Sequence, residues 1–316
     1  MQNGVFLISL DFELMWGVRE NRSIDVYGDA ILGVHNAIPK MLDIFDKYGV
    51  KSTFAAVGFL FLKNKEELLA HIPALMPSYV NPKVSPYGTY IDSLESFADD
   101  RYHFAPHIIE DLKTRENCEI ATHTLSHYNA LAEGQTKESF RADLREAIKI
   151  ANEKGVQIRS IVFPRNQCNA DYLEACKELG IICYRGKDRY KRGKKPSSID
   201  RYIPLFNDRP YQIDDIYGEP IINLWGSEHW RPNINSNAIL DRFKTRVRTN
   251  RIKRSMSLAA KNNLIYHIWW HPHEFGRYTE EKLAVLEDVC AHYRRLNDKY
   301  GFQSATMGEF AQKVLR

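Results

Sequence analysis

Short apolar segments alternate with amphipathic ones along most of the chain. Residues 5–10 are apolar except for Ser9, a pattern typical of a strand buried on both faces of a parallel sheet. From Val34 to Phe45 the apolar residues follow helical spacing, and Gly49 stands where a left-handed C-cap is expected. The same alternation predicts strands over 52–57, 118–122, 160–163, 181–184, 221–224 and 264–270, and helices over 106–115, 137–153, 170–179, 237–261, 280–299 and 309–315.

Strands that alternate with helices indicate a parallel α/β architecture, and a closed barrel is the form we favour. No linker rich in Pro, Gly or Ser divides the sequence, so we expect one domain over residues 1–316. Two stretches, 77–104 and 185–217, interrupt the alternation and are rich in turn formers and tyrosines. Loops of this length inside a compact domain are usually functional.

Composition narrows the class of protein further. The 44% hydrophobic and 27% charged fractions exclude disorder, and 44 Lys plus Arg against 40 Asp plus Glu leave a net charge of +4, too small to indicate nucleic-acid binding. No apolar run approaches the roughly 20 residues of a membrane span, and the first residues lack a signal-peptide pattern, so we expect a cytoplasmic protein. Five cysteines without a C-x-x-C pair predict neither a disulfide framework nor a zinc knuckle.

Polar residues follow four of the predicted strands at the point where each strand ends. The carboxyl ends of parallel strands meet at one edge, where parallel α/β proteins carry their chemistry. A single polar residue after a strand usually forms hydrogen bonds within its own loop, but polar residues at the ends of four strands predict a functional rim. These residues are Asp11 and Glu13 after the first strand, His123 and His127 after the third, Arg165, Asn166 and Gln167 after the fourth, and His271, His273 and Glu274 after the strand over 264–270.

This rim contains a candidate metal site. His123 and His127 are four residues apart, so on a helical turn both rings can reach one ion. Asp11 and Glu13 point to the same side of a strand, which offers one carboxylate to the ion and one to a water molecule. Two imidazoles and a carboxylate indicate a hydrolytic site, but they are also the ligand set of non-haem iron oxygenases.

Several segments of the chain resemble the ordered motifs of the polysaccharide deacetylases, also called the NodB homology domain. The segments are Ile-Ser-Leu-Asp-Phe-Glu at 8–13, Ser-Thr-Phe-Ala-Ala-Val-Gly at 52–58, Glu-Ile-Ala-Thr-His-Thr-Leu-Ser-His at 119–127, Phe-Pro-Arg at 163–165 and Trp-His-Pro at 270–272. The resemblance spans residues 5 to about 275. It implies a distorted (β/α) barrel, usually of seven strands, and an enzyme that removes acetyl groups from N-acetylated sugars with a divalent metal. Zinc is the metal we expect here.

The resemblance also implies roles for single residues. The family's paired aspartates read Asp-Phe-Glu here, as in the Asp-x-Glu variants of the superfamily, and its arginine motif reads Phe-Pro-Arg-Asn-Gln. Because of these departures, the resemblance does not determine the substrate. The metal can be zinc, cobalt, manganese, nickel or iron. The implied roles are Asp11 as general base, His271 as general acid, Arg165 as the arginine that orients the base, and Glu13, His123 and His127 as metal ligands.

Substrate contacts are expected from aromatic and amide side chains near the rim. Trp225 and Trp270 can stack on a sugar ring, and Asn166 can hydrogen-bond to it. Trp269 and Trp270 are adjacent, so they face opposite sides of their strand and one of them must fill the core. Ser126 and Gln167 are weaker candidates for sugar contact.

Two stretches, 185–195 and 242–254, are rich in Lys and Arg. They are either solvated faces, or surfaces that attract a phosphate-bearing substrate or an anionic membrane.

The substrate expected is an N-acetylated sugar or a cytoplasmic glycan precursor, with neither nucleic acid nor an integral membrane segment involved. Two alternatives stay open. One is hydrolysis of a cyclic amide or another non-sugar C–N bond, and the other is a catalytically silent barrel that binds a glycan.

Overall fold

A sheet of parallel strands forms the centre of the structure, a computed structural model that describes residues 3–187, 210–232, 234 and 239–316. In this part of the chain the strands are β1 (Val5–Phe12), β2 (Ser52–Ala56), β3 (Cys118–Thr122), β4 (Ser160–Val162), β5 (Cys183–Arg185), β6 (Ile222–Asn223), β7 (Glu228–His229), β8 (Ile265–Trp270) and β9 (Gln303–Ala305). They lie in the order β6-β5-β4-β3-β2-β1-β8-β7, and β9 pairs with β1 beside β8. The sheet curls into the distorted (β/α) barrel that the sequence predicts.

Helices connect the strands and cover the outside of the sheet. The predicted helices are present within a few residues at each end, and four further helices, at 15–18, 24–32, 65–70 and 89–92, were not predicted. The helices are α1 (Met15–Val18), α2 (Ile24–Leu32), α3 (Val34–Tyr48), α4 (Lys65–Ala70), α5 (Thr89–Asp92), α6 (Pro106–Thr114), α7 (Lys137–Glu153), α8 (Ala170–Glu178), α9 (Ile239–Asn262), α10 (Thr279–Tyr300) and α11 (Met307–Leu315).

Side chains along β1 face alternately the helices and the interior of the barrel. All eight residues are buried, and Phe6, Ile8, Leu10 and Phe12 belong to the large apolar cluster beneath the helices. Val5 and Leu7 belong to a second cluster inside the barrel, together with Met307 and Phe310 of α11. Since successive residues of a strand face opposite sides, Ser9 and Asp11 continue the inward row.

The interior of the barrel therefore changes from apolar to polar along the strands. In β8 the inward row is Ile265, His267 and Trp269, and Ser9 Oγ lies 2.8 Å from His267 Nε2. Asp11 lies level with Ala55 of β2, and Leu10 with Trp270 of β8. The carboxyl ends of neighbouring strands thus meet at one rim.

Of the two stretches that interrupt the alternation, the structure describes one completely and the other only in part. Residues 77–104 contain α5 and three 3-10 turns (Pro82–Val84, Ser93–Ser96 and Asp100–Tyr102). Most of 185–217, including much of the first basic stretch, lies outside the described residues. No helix in the described ranges combines the length and apolar character needed to cross a membrane. The expectation of one domain over 1–316 stays a prediction.

Candidate active site

The three residues expected to bind metal lie together at the rim. Glu13 Oε2 is 3.5 Å from His123 Nε2 and 3.3 Å from His127 Nε2. One ligand atom from each residue falls within 4.8 Å of the others, and all three side chains are buried. The arrangement offers one carboxylate and two imidazoles from one side, as a metal ion with open coordination positions requires.

An irregular loop, and not the helical turn that the spacing suggested, brings the two histidines together. Thr124 and His127 have positive φ angles of 67° and 57°, which bends residues 123–127 so that the two rings lie 5.3 Å apart. The buried Asp143 carboxylate holds this bend, because it accepts hydrogen bonds from Leu125 N at 2.8 Å and Ser126 Oγ at 2.5 Å. Ser126 is therefore committed to the loop and does not face a substrate.

Hydrogen bonding and close packing fix the orientation of the ligand atoms. His123 Nδ1 donates to the carbonyl of Val162 at 2.8 Å, which leaves the lone pair of Nε2 directed at Glu13. A Cβ atom on Gly17 would lie 1.9 Å from Glu13 Cδ. Glycine at position 17 thus lets the chain fold closely over the Glu13 carboxylate.

Asp11 is paired with Arg185, and not with Arg165 as expected. Arg185 Nη1 and Nη2 donate to the two Asp11 oxygens at 2.6 and 2.7 Å, with both side chains buried. Arg165 instead pairs with Glu20 at 2.6 Å and is 39% exposed. The prediction for Arg165 is wrong because this residue lies in a turn after β4 with φ 57°, whereas Arg185 ends β5 with its side chain inside the barrel.

Both buried carboxylates are held in the ionised form. Burial alone would raise the pKa of Asp11, but the Arg185 guanidinium outweighs this effect and the pKa is lowered. Burial would also raise the pKa of Glu13, yet attraction to His271 and the close approach of the His123 and His127 imidazoles hold it well below the usual range. The site can therefore offer one carboxylate to a cation and another to a proton.

His271 lies across the site from the other residues. Its Nε2 atom is 3.8 Å from Asp11 Oδ2 and 3.8 Å from Glu13 Oε1, and 18% of its side chain is exposed. Burial would lower the pKa of His271, but Glu13, Glu274 and Asp11 together raise it to about 9. The imidazole is thus placed to hold a proton beside the two carboxylates.

A second group of possible ligands, His229, His271 and Glu274, lies next to the first. Arg231 occupies the cation position of this group, since its Nε atom lies 2.7 Å from Glu274 Oε1 and 3.3 Å from His229 Nε2. His273 stacks on His271 with the ring centroids 5.0 Å apart. The group therefore supports His271, and the first group is the better candidate for a metal.

The residues expected to contact substrate are spread over different parts of the fold. Trp270 is fully buried against Trp230 in the outer core, so its predicted sugar contact is wrong. Trp225 donates through Nε1 to the Asp215 carbonyl and packs against the interior apolar cluster. Asn166 reaches the site and accepts a hydrogen bond from Arg185 at 3.0 Å.

Trp269 and Arg185 are site residues that were not selected from the sequence. Arg185 lies 4.1 Å above the Trp269 ring, which stacks on His229 at 4.0 Å. The signal for Arg185 was available, because this residue directly follows the predicted strand over 181–184. The parity of the strand decides between Trp269 and Trp270, since Asp11 and Trp269 both face the barrel interior.

Comparisons with known proteins identify the family and the fold. A family model described as polysaccharide deacetylase matches residues 27–184, half of the chain, which include His123 and His127. A comparison with curated protein sequences found no match.

Solved structures show the same fold at low sequence identity. A candidate polysaccharide deacetylase from Mycobacterium smegmatis is 15% identical with a TM-score of 0.63, over 100% of this chain and 91% of its own. A candidate polysaccharide deacetylase from Pseudomonas aeruginosa PAO1 is 10% identical with a TM-score of 0.57, over 98% and 89%. The GH57-type branching enzyme of the archaeon Pyrococcus horikoshii is 14% identical with a TM-score of 0.56, over 99% and 71%. At these identities the likeness concerns the fold alone.

Proposed function

Since this chain belongs to the polysaccharide deacetylase family, we propose that it is a metal-dependent hydrolase that removes the acetyl group from an N-acetylated sugar of a glycan precursor. The enzyme class follows from membership of the family: a hydrolase of bonds other than peptide bonds. One observation carries the finer proposal. Glu13, His123 and His127 converge beside the Arg185-paired Asp11 and the facing His271.

The donor set fits a divalent cation. Two Nε2 atoms and a carboxylate oxygen face each other in a buried site, and the bond from His123 Nδ1 to the Val162 carbonyl fixes the tautomer that a ligand needs. Glu13, His123 and His127 would hold the ion, and zinc suits this mixture of nitrogen and oxygen donors. When bound, the ion supplies Lewis acidity for the amide carbonyl and makes a water molecule more acidic.

Asp11 is the residue we assign as the base. Its carboxylate lies two positions before Glu13 on the same side of the chain, and the paired Arg185 keeps it ionised and fixed. It can therefore accept the proton that a water molecule loses as it attacks the acetamide carbon. Arg185 is a positioning residue here, because it acts through Asp11 and is itself buried beneath it.

His271 is the residue we assign as the acid. An amine leaves an amide readily only after it is protonated, and His271 Nε2 faces the two carboxylates at 3.8 Å. Glu274 Oε2 accepts from the His271 backbone N–H at 3.2 Å and lies 3.7 Å from Nδ1. Glu274 thus keeps the imidazole oriented while its Nε2 atom gives up a proton.

Acetate release tests the proposal. The purified protein, reconstituted with zinc, is offered N-acetylated glucosamine oligomers and phosphorylated N-acetyl sugars, and free acetate is measured. We expect Asp11→Asn and His271→Gln to lower kcat by at least 100-fold, the usual contribution of general acid–base catalysis. Arg165→Gln, a change at the neighbouring exposed arginine, is the matched control for a turnover that stays within a few-fold of wild type. The cytoplasmic location stays a prediction.

Acetate that appears equally fast with Asp11→Asn would contradict the assigned base. If the zinc-loaded protein releases no acetate from any of these sugars but opens a cyclic amide, the substrate class is a cyclic amide and not an N-acetylated sugar.

A further inference from the structure

The first turns of α9 expose apolar side chains to solvent. Ile239, Leu240 and Phe243 are 86%, 59% and 63% exposed. A single exposed apolar side chain is ordinary, but three within five residues form a local apolar tip. We call these three residues the α9 tip.

A cationic groove adjoins the α9 tip. It has a volume of about 400 Å³, and Arg242, Arg246 and Lys253 line it. Its lining carboxylate is Asp288, which Lys253 already contacts. Thr245 also lines the groove, and its buried hydroxyl has no hydrogen-bond partner within the described ranges. Excess positive charge and a free hydroxyl are suited to a phosphate group.

The α9 tip lies on the face of the barrel that carries the active site. The helix runs from β7 to the amino end of β8, so its first residues lie toward the carboxyl ends of the strands. Arg251 contacts Glu228, which is level with Ile268 near the end of β8. Phe243 precedes Arg251 by eight residues, which at 1.5 Å each places it about 12 Å farther along the helix axis. The tip therefore extends beyond the rim.

We propose that the start of α9 docks this face of the protein on an anionic lipid bilayer, with a headgroup phosphate in the groove and the α9 tip at the acyl boundary. An anionic bilayer presents phosphate and hydrocarbon within a few ångströms of each other, as the groove and the tip require. A free phosphate or a nucleotide matches the groove but leaves the apolar residues in water. Docking in this orientation turns the active site toward the membrane, which is a property beyond the hydrolysis proposed above.

Co-sedimentation with vesicles tests the proposal without any assay of turnover. The full-length protein is mixed with vesicles of phosphatidylcholine and phosphatidylglycerol at 3:1, and with phosphatidylcholine alone. We expect binding to the mixed vesicles that falls steeply with added salt. Arg242→Gln with Arg246→Gln should weaken it roughly 30-fold, and Leu240→Ala with Phe243→Ala by more than about tenfold.

Matched controls lie at the opposite end of the barrel. Arg294→Gln with Lys299→Gln removes the same charge from the end of α10, whose chain continues into β9 at the level of Val5. Leu315→Ala removes an exposed leucine from the end of α11. Both should bind vesicles as the wild type does.

Three results would overturn docking. The first is that the wild type does not sediment with the mixed vesicles at low salt. The second is that the control variants lose as much binding as the α9 variants. The third is that inorganic phosphate in the millimolar range binds the groove and abolishes sedimentation, while the apolar variants bind vesicles normally. The last result would assign the groove to a soluble phosphate compound.

Discussion

Replacement of Arg185 by methionine tests the position of the buried ion pair. Methionine is similar in length to arginine and leaves the packing against Trp269 largely filled, but it removes both hydrogen bonds to Asp11. The Asp11 carboxylate would then remain buried without its two guanidinium hydrogen bonds, and its nearest cation would be His271 at 3.8 Å. Arg165→Met is the matched comparison, since the sequence motif had assigned the pairing to Arg165.

The structure predicts very different costs for the two changes. The Arg185 side chain is 0% exposed and Asp11 5% exposed, and removal of one partner from such a pair costs about 3–5 kcal/mol of unfolding free energy. The pair between Arg165 and Glu20 is partly exposed, with Arg165 at 39%, so its loss should cost at most about 1 kcal/mol.

Urea unfolding of the purified protein, followed by circular dichroism at pH 7, measures both costs. The double variant Asp11→Asn with Arg185→Met should recover much of the lost stability, because no charge is left unpaired. The reasoning is refuted if Arg185→Met and Arg165→Met unfold at the same urea concentration, or if the double variant is destabilised by the full sum of the single changes.

Three further predictions concern the site and the buried residues of the core. Gly17→Ala should weaken zinc binding about 10–100-fold in a chelator competition, since the added methyl group would displace the Glu13 carboxylate; unchanged affinity would contradict the close contact. Trp270→Leu should lower the free energy of unfolding by about 2–4 kcal/mol, whereas Trp269→Leu should mainly lower kcat/KM, and the reverse result would show that the two faces of β8 are misassigned. Burial lowers the pKa of His103 to about 3, so on acidification the unfolded chain takes up a proton near pH 6.5 and the folded protein does not. His103→Gln should therefore lose about 1.6 kcal/mol less stability than wild type between pH 6.5 and 5 in urea titrations, and parallel losses would contradict a buried neutral imidazole.

The order of strands and helices was predictable because burial leaves a direct pattern in the sequence. Every residue of β1 is buried, and Gly49 caps the end of α3 with φ 64°, as the spacing predicts. Strand ends also predicted where Glu13 and His123 would lie. Short elements such as β7, which has two residues, leave too little pattern to detect.

Side-chain partners were less predictable than strand positions. Arg165 and Arg185 both follow strands, and the sequence does not show that a positive φ at Arg165 directs it away from Asp11. The side chain of Arg185 reaches Asp11 across the barrel from a strand 174 residues later in the chain. Such a contact depends on the curvature of the sheet, which local patterns do not encode. The choice of Trp270 over Trp269 failed for a related reason, since it required the inward face of β8.

Metal content tests the central claim most directly, because it requires no knowledge of the substrate. The protein is reconstituted with zinc, desalted and analysed for its metal content, beside the variants Glu13→Gln, His127→Gln and Glu274→Gln. We predict about one ion per chain in wild type and in Glu274→Gln, and loss of the ion in Glu13→Gln and His127→Gln. A wild type that binds no divalent metal, or an ion that is retained in Glu13→Gln and lost in Glu274→Gln, would contradict the site proposed at Glu13, His123 and His127.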